Sequence, residues 1–171
     1  MTSFYEWDVY LGGAFFNGQQ KSTMDKAKEI LTSQGLKVCD PGALGIVTDL
    51  PPEKRNQDLY RKILSGNVNG IERSYSMIAC IDDKDPGTYW ELGFNYAHTR
   101  YLVQFRPRIT FSAHGHGTDL IIAQSVHMHC KTLPDLSETL LKIGTYLKSR
   151  DEYSLRNYFY KHKNSLAPVT S

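Results

Sequence analysis

The chain has 171 residues, a formal net charge of +2, 40% hydrophobic residues and 22% charged residues. These values are typical of one soluble globular domain with a sizeable core, and they lack the basic clusters of a nucleic-acid-binding protein. No apolar run is long enough to span a bilayer, and the first residues lack the pattern of a signal peptide. Three widely spaced cysteines favour reduced thiols, so we expect a cytoplasmic protein that binds neither membranes nor nucleic acids.

The first half of the chain predicts two strands and two helices around a long loop. We expect a strand at 8–13, a helix at 21–33 and a second strand at 36–40, followed by a helix at 58–73. Residues 41–57 are rich in glycine and proline and predict a loop whose length is typical of functional or mobile segments.

The second half continues the alternation of strands and helices. The pattern predicts a strand at 77–81, a helix at 90–99, a strand at 100–105, a loop at 107–118, a short helix at 119–123, a strand at 125–130 and a helix at 133–149. Strands that alternate with helices indicate a parallel sheet covered on both faces. We therefore expect a single-domain α/β, flavodoxin-like fold with five parallel strands over residues 1–149, and a basic, aromatic helix and tail over 150–171.

One carboxylate, Glu91, follows the third predicted strand and opens the next helix. This position, at the carboxyl end of a parallel strand, is where open α/β sheets bind ligands. Thr88 and Glu91 fit a capping box, which would give Glu91 a purely structural role in the first helical turn. A nucleophilic role is the alternative, because a helix N-terminus favours the ionised carboxylate. The spacing by itself favours the cap.

Two motifs together resemble the nucleoside 2-deoxyribosyltransferase family. They are Tyr10-Leu11-Gly12-Gly13-Ala14-Phe15-Phe16-Asn17-Gly18-Gln19-Gln20 and Asp85-Pro86-Gly87-Thr88-Tyr89-Trp90-Glu91-Leu92-Gly93. The resemblance covers residues 8–149 and implies transfer of a 2-deoxyribosyl group between the bases of 2′-deoxyribonucleosides, through a covalent intermediate on Glu91 and with retained configuration. It implies no metal or organic cofactor. The implied partners are a nucleoside, a free nucleobase and further copies of the chain that share active sites, with the segment 150–171 at a subunit contact.

The resemblance also implies roles for residues of the first motif. Tyr10 would hold the Glu91 carboxylate by a hydrogen bond, which favours its ionised form. Gly12 would let the nucleoside lie against the first strand, and Phe16 would flank the base. The structural alternatives are a core tyrosine, an ordinary strand-end glycine and a plain core aromatic residue.

The second motif and residues 119–121 match the family's sugar-binding positions. Asp85, with Gly87 in its turn, would accept a hydrogen bond from the sugar 5′-hydroxyl, and its charge would repel a 5′-phosphate. Asp119 and Ile121 stand where the family supplies an asparagine from a neighbouring subunit. The alternatives are a turn or cap role for Asp85 and an N-cap role for Asp119.

Asn67 departs from the family pattern, since the family usually has an aspartate here that protonates the departing base. Loss of a general acid costs about 10²–10⁴-fold in the step that needs it. If the match is shifted by two residues, Asn69 is the corresponding amide. Three explanations stay open: a base that leaves as an anion; another acid, such as Asp49, Asp58 or Glu72; or loss of transfer. Without transfer the chain would be an N-glycoside hydrolase of deoxynucleosides or their monophosphates, or a non-catalytic nucleoside-binding module.

Two histidine pairs, His114-Gly115-His116 and His127-Met128-His129, have the spacing of metal ligands on a strand. No cysteine or carboxylate pattern completes a zinc set around either pair. We therefore expect no metal site.

Overall fold

Five parallel strands form one sheet in the computed structural model, which describes residues 4–44, 50–102, 104–115 and 117–162. The strands are β1 (Trp7–Gly12), β2 (Val38–Cys39), β3 (Ser74–Cys80), β4 (Arg108–Phe111) and β5 (Met128–Cys130). Their order is β2-β1-β3-β4-β5, with every neighbouring pair parallel. This is the flavodoxin-like order, and it confirms the expected fold class.

Six α-helices of the described residues connect and cover the strands. They are α1 (Gly18–Ser33), α2 (Gln57–Glu72), α3 (Pro86–Tyr101), α4 (Leu120–Ser125), α5 (Leu133–Ser149) and α6 (Glu152–His162). Short 3₁₀ turns lie at Pro41–Leu44, Pro52–Lys54 and Asp82–Lys84. None of these helices is long and apolar enough to cross a membrane.

The core has two layers because successive strand residues point to opposite faces of the sheet. Val9 and Leu11 of β1 pack in one buried cluster with residues of α1, α5 and α6. Tyr10, between them, belongs to the other cluster, with Ile71 of α2 and Leu92 of α3. The alternation along β1 therefore aims Tyr10 at the layer formed by α2 and α3.

The predicted fourth strand is wrong. Residues 100 and 101 still belong to α3, and β4 is Arg108–Phe111, inside the segment that we expected to be a loop. Arg106 and Arg108 are buried. A prediction that expects arginine on the surface therefore misses this strand. The apolar residues of 101–105, in contrast, have the composition of a strand without forming one.

The start predicted for α3 is also wrong. Asp85 is the N-cap, its side chain accepts a hydrogen bond from the Thr88 N–H, and Pro86 is the first helical residue. Glu91 is therefore the sixth residue of α3 and lies in its second turn, so Thr88 and Glu91 form no capping box. Proline at the first helical position fits because its fixed φ suits the helix and no N–H is lost there.

A tight bend between β3 and α3 positions the start of that helix. Asp83 and Lys84 have left-handed backbone conformations, with φ of 64° and 51°. The carboxylate of the buried Asp82 accepts hydrogen bonds from the Ser112 hydroxyl (2.5 Å) and the Ala113 N–H (2.7 Å). These bonds tie the bend to the end of β4, which is the kind of support that a strained backbone requires.

The C-terminal helix packs on its own chain. Leu155 and Phe159 of α6 are 0% and 4% exposed and belong to the core cluster of α1 and α5. The rest of the predicted tail, residues 163–171, lies outside the described residues, and so do 45–49 of the first long loop. Cys39, Cys80 and Cys130 form no disulfide.

Candidate active site

A hydrogen bond between Tyr10 and Glu91 forms the centre of the site, at the carboxyl ends of the parallel strands. The Tyr10 side chain is completely buried, and its hydroxyl donates to Oε1 of Glu91 over 2.8 Å. Burial and the nearby Glu91 carboxylate raise the pKa of Tyr10. The hydroxyl therefore stays protonated and remains a donor to the carboxylate.

Asn67 of α2 supplies a second donor to the same oxygen. Its side-chain N–H₂ donates to Oε1 of Glu91 over 3.0 Å. The other oxygen, Oε2, accepts no hydrogen bond from any described residue. A Cβ added to Gly12 would lie 3.1 Å from that oxygen, so the glycine leaves Oε2 uncovered on the side of β1. One carboxylate oxygen is thus held by two donors, and the other has no donor among the described residues.

The environment of Glu91 opposes its ionisation. The side chain is only 7% exposed. Burial, and to a smaller extent the negative charge of Asp85, raise its pKa from 4.5 to about 7, against the hydrogen bonds from Tyr10 and Asn67. The expected stabilisation of the anion by a helix N-terminus is not the controlling effect, because Glu91 lies beyond the first turn, where such effects fall off.

Asp85 has one engaged and one available oxygen. Its Oδ2 accepts hydrogen bonds from the Thr88 N–H (2.8 Å) and the Thr88 hydroxyl (2.7 Å). In the part of the chain that the structure describes, nothing donates to Oδ1. The cap role predicted for Asp85 is therefore confirmed, and it leaves one acceptor oxygen without a described donor on a residue that lines the pocket. A Cβ on Gly87 would lie 3.2 Å from Oδ2, so a side chain there would crowd the cap.

The remaining walls of the pocket are mostly apolar. Phe16 is 58% exposed at the pocket wall, so its interpretation as a core residue is wrong. The sequence analysis missed several lining residues, which are Gly13, Phe15, Pro41, Gly42, Ile63 and Thr88. Two signals were available. Ile63 precedes Asn67 by one helical turn and so shares its face, and residues 41–42 follow β2 at the same sheet edge.

Asp119 and Ile121 do not join Glu91 within one copy of the chain. They line a separate cleft together with Lys84 and Tyr89. Asp119 caps α4 by accepting a hydrogen bond from the Ile121 N–H (2.8 Å), which confirms its predicted N-cap role. Ile121 is 76% exposed.

Two of the three alternative acids do not line the pocket. Asp58 is exposed and pairs with Arg61 (3.4 Å), and Glu72 pairs with His98 (3.6 Å) at the other end of α2. Neither lines the pocket, so both proposals are wrong. Asp49 lies outside the described residues. Glu91 and Asp85 are the carboxyl groups among the described lining residues.

The histidines have other partners. Nδ1 of His127 accepts a hydrogen bond from the Arg108 N–H (3.0 Å), and Nδ1 of His129 lies 3.1 Å from the Thr110 hydroxyl. His116 lies outside the described residues. Within the described ranges, no group of three or more histidine, cysteine or acidic residues could hold a metal ion.

Comparison with known proteins identifies the family of the chain. The model of the nucleoside 2-deoxyribosyltransferase family matches residues 9–125. A solved 2-deoxyribosyltransferase from the psychrotolerant bacterium Bacillus psychrosaccharolyticus is similar, with a TM-score of 0.64 and 25% identity, covering 75% of this chain and 89% of that one.

A second solved structure, of a conserved protein from Enterococcus faecalis V583, shows the same fold. Its TM-score is 0.61 at 14% identity, covering 83% of this chain and 97% of that one. No curated protein sequence matches the chain. Because the family model covers more than half of the residues, the chain belongs to the nucleoside 2-deoxyribosyltransferase family.

Proposed function

We propose that the protein transfers 2-deoxyribosyl groups between nucleobases, with Glu91 as the nucleophile. One observation carries this proposal. The carboxylate of Glu91 lines the pocket with Oε1 held by Tyr10 and Asn67, while Oε2 accepts no hydrogen bond from the described residues. A fixed carboxylate with one available oxygen is what attack on a sugar carbon requires.

The reaction consists of two displacements at C1′ of the sugar. Oε2 of Glu91 forms a bond to C1′ while the bond between C1′ and the base breaks, and the base departs with that electron pair. A nitrogen of the second base then attacks C1′, the bond between C1′ and Oε2 breaks, Glu91 is released as a carboxylate, and the proton of the incoming base passes to solvent. Tyr10 and Asn67 continue to donate to Oε1, which stabilises the carboxylate as it is released. Two inversions retain the configuration.

The sugar 5′-hydroxyl is bound by Asp85 in this proposal. Oδ1 of Asp85 has no donor among the described residues, whereas Oδ2 is engaged by Thr88. A negative charge at this position favours a hydroxyl over a phosphate, so nucleosides are preferred to nucleotides. Asp119 and Ile121 would contact the 5′-hydroxyl of a nucleoside bound in a neighbouring copy, because in their own copy they line a different cleft.

Asn67 determines which bases leave. Its amide carries no proton that it can transfer, and it already donates to Glu91. The departing base therefore takes its proton from solvent, or leaves as an anion. Bases that form stable anions are the preferred leaving groups, and bases that need protonation react slowly.

The first prediction concerns exchange itself. Purified protein incubated with a panel of 2′-deoxyribonucleosides, each with and without a different free base, should form a new nucleoside only when the second base is present. Glu91→Gln should lower the exchange rate by about 10⁴-fold or more, because the nucleophile is lost. Chromatographic separation of the nucleosides measures both effects.

Glu138→Gln is the matched control, since Glu138 is an exposed carboxylate on α5, and it should exchange at the wild-type rate. Exchange by Glu91→Gln at that rate would disprove the assignment of the nucleophile. Free base and deoxyribose without exchange would instead identify a hydrolase.

The second prediction concerns pH. Only ionised Glu91 can attack, and its pKa of about 7 means that kcat/KM falls about tenfold per pH unit below pH 7. Tyr10→Phe removes a donor to the ionised form and should move this acidic limb to higher pH. Asp85→Asn removes a nearby negative charge and should move it to lower pH. Shifts in the same direction, or none, would show that another group controls the limb.

The third prediction tests the missing acid. Asn67→Asp places a carboxyl group beside Glu91, where the two share a proton that can be delivered to the base. Turnover of bases that need protonation should rise about 10²-fold. Asn69→Asp, at an exposed position on the same helix, is the control and should change nothing. If turnover rises in both variants, or in neither, position 67 is not the acid site.

The fourth prediction tests the sugar end. Asp85→Ser keeps an N-cap residue but removes the charge, so kcat/KM for a 5′-monophosphate relative to its nucleoside should rise about tenfold or more. Asp135→Ser, at an exposed position on α5, controls for the change in net charge. An unchanged preference would place the 5′-group elsewhere in the pocket.

A further inference from the structure

A strongly basic groove lies at the amino ends of the strands, whereas Glu91 lies at their carboxyl ends. It is formed where α3 ends, β4 begins and α6 passes, and its lining includes Arg100, Arg106, Arg108 and Arg156. No carboxylate of the described residues lines it. Glu91 and Arg100 are nine residues apart on α3, which separates the groove from the catalytic pocket by about 14 Å along the helix.

Two of these arginines are buried without a counter-charge. Arg106 is 0% exposed and donates to the Ile71 carbonyl (3.2 Å) and to Gln104 Oε1 (3.3 Å). Arg108 is 9% exposed and donates to the Ser125 carbonyl (2.7 Å) and the Thr99 hydroxyl (2.8 Å). All of these acceptors are neutral. The guanidinium groups also lie over the rings of Tyr5 (4.8 Å) and Tyr96 (5.2 Å), but neither arginine is paired with a described carboxylate, whereas buried charges are usually paired.

Only part of this positive charge is neutralised. Arg156 is paired with Glu152 (2.6 Å) and Glu72 lies against His98 (3.6 Å), whereas Arg100, Arg106 and Arg108 form no ion pair with a described carboxylate. The C-terminal end of α3 contributes only about half a negative charge. Arg100 donates to the neutral Tyr96 hydroxyl, so its positive charge also has no counter-charge in this contact. The groove is therefore suited to a ligand that carries one or two negative charges.

The groove continues into an aromatic part along α6. Phe105, His127 and Arg156 line both parts, and Phe159 and Tyr160 extend the lining. The Tyr160 ring is 85% exposed, so one of its faces can receive a planar ring. Stacking of bases on such rings is a common mode of nucleotide binding.

We propose that this groove binds a nucleoside monophosphate, with the phosphate between Arg100, Arg108 and Arg156 and the base on Tyr160. Guanidinium groups bind phosphate oxygens in pairs, which explains the preference for arginine over lysine here. The site is separate from the Glu91 pocket, and the inference does not depend on the proposed function.

Calorimetric titration of the full chain with thymidine 5′-monophosphate, thymidine and inorganic phosphate tests the proposal. The monophosphate should bind, and Arg100→Gln/Arg156→Gln should weaken it about tenfold or more, since each guanidinium contact to phosphate is charge-assisted. The control, Arg61→Gln/Lys142→Gln, removes two exposed cations of other helix pairs and should bind as the wild type does. Tyr160→Ala should weaken the monophosphate but not inorganic phosphate.

Three results would overturn the proposal. The first is equal monophosphate binding by the wild type and Arg100→Gln/Arg156→Gln, which would place the ligand in the Glu91 pocket. The second is equally strong binding of thymidine at the groove. The third is a change in sedimentation of the double variant, which would show that a second copy of the chain covers the groove. Base exchange by the double variant should equal the wild-type rate, so failure of this inference is distinct from failure of the proposed function.

Discussion

The hydrogen bond from the Tyr10 hydroxyl to Glu91 is the contact on which the site depends. It joins β1 to α3 across 81 positions of sequence and is completely enclosed. Helix α2 packs closely beside it, since a Cβ on Gly70 would lie 2.8 Å from the Cys39 sulfur and 3.1 Å from the Tyr10 ring. Gly70 lets α2 pack against that ring. The same approach brings Asn67, one turn earlier, within reach of the carboxylate.

Burial makes the negative charge of Glu91 costly. A pKa near 7 means that the folded chain holds a proton which an unfolded glutamate would release, so the carboxylate works against stability as the pH rises from 4.5 to 7. Two donors at one oxygen reduce this cost but do not remove it. The arrangement is typical of an active site, where a group is kept in a form that its surroundings disfavour.

The sequence predicts the parts of this site that depend on strand order and local motifs. Tyr10 and Glu91 could be matched from two motifs, and the parallel sheet places both at one edge. What could not be predicted depends on tertiary burial. The position of β4 was missed because Arg108 is buried, which no pattern of exposed arginines anticipates. The contact between Asn67 and Glu91 could be predicted only if the depth at which α2 packs were known. The pocket wall around Ile63 likewise depends on the path of the chain after β2.

Helix α3 runs without interruption from Pro86, at the carboxyl ends of the strands, to Tyr101, at their amino ends. Because its backbone is hydrogen-bonded along that length, an axial shift of the helix moves Glu91 and Arg100 together. The carboxylate of Glu91 and the arginine groove therefore depend on the same helix for their positions.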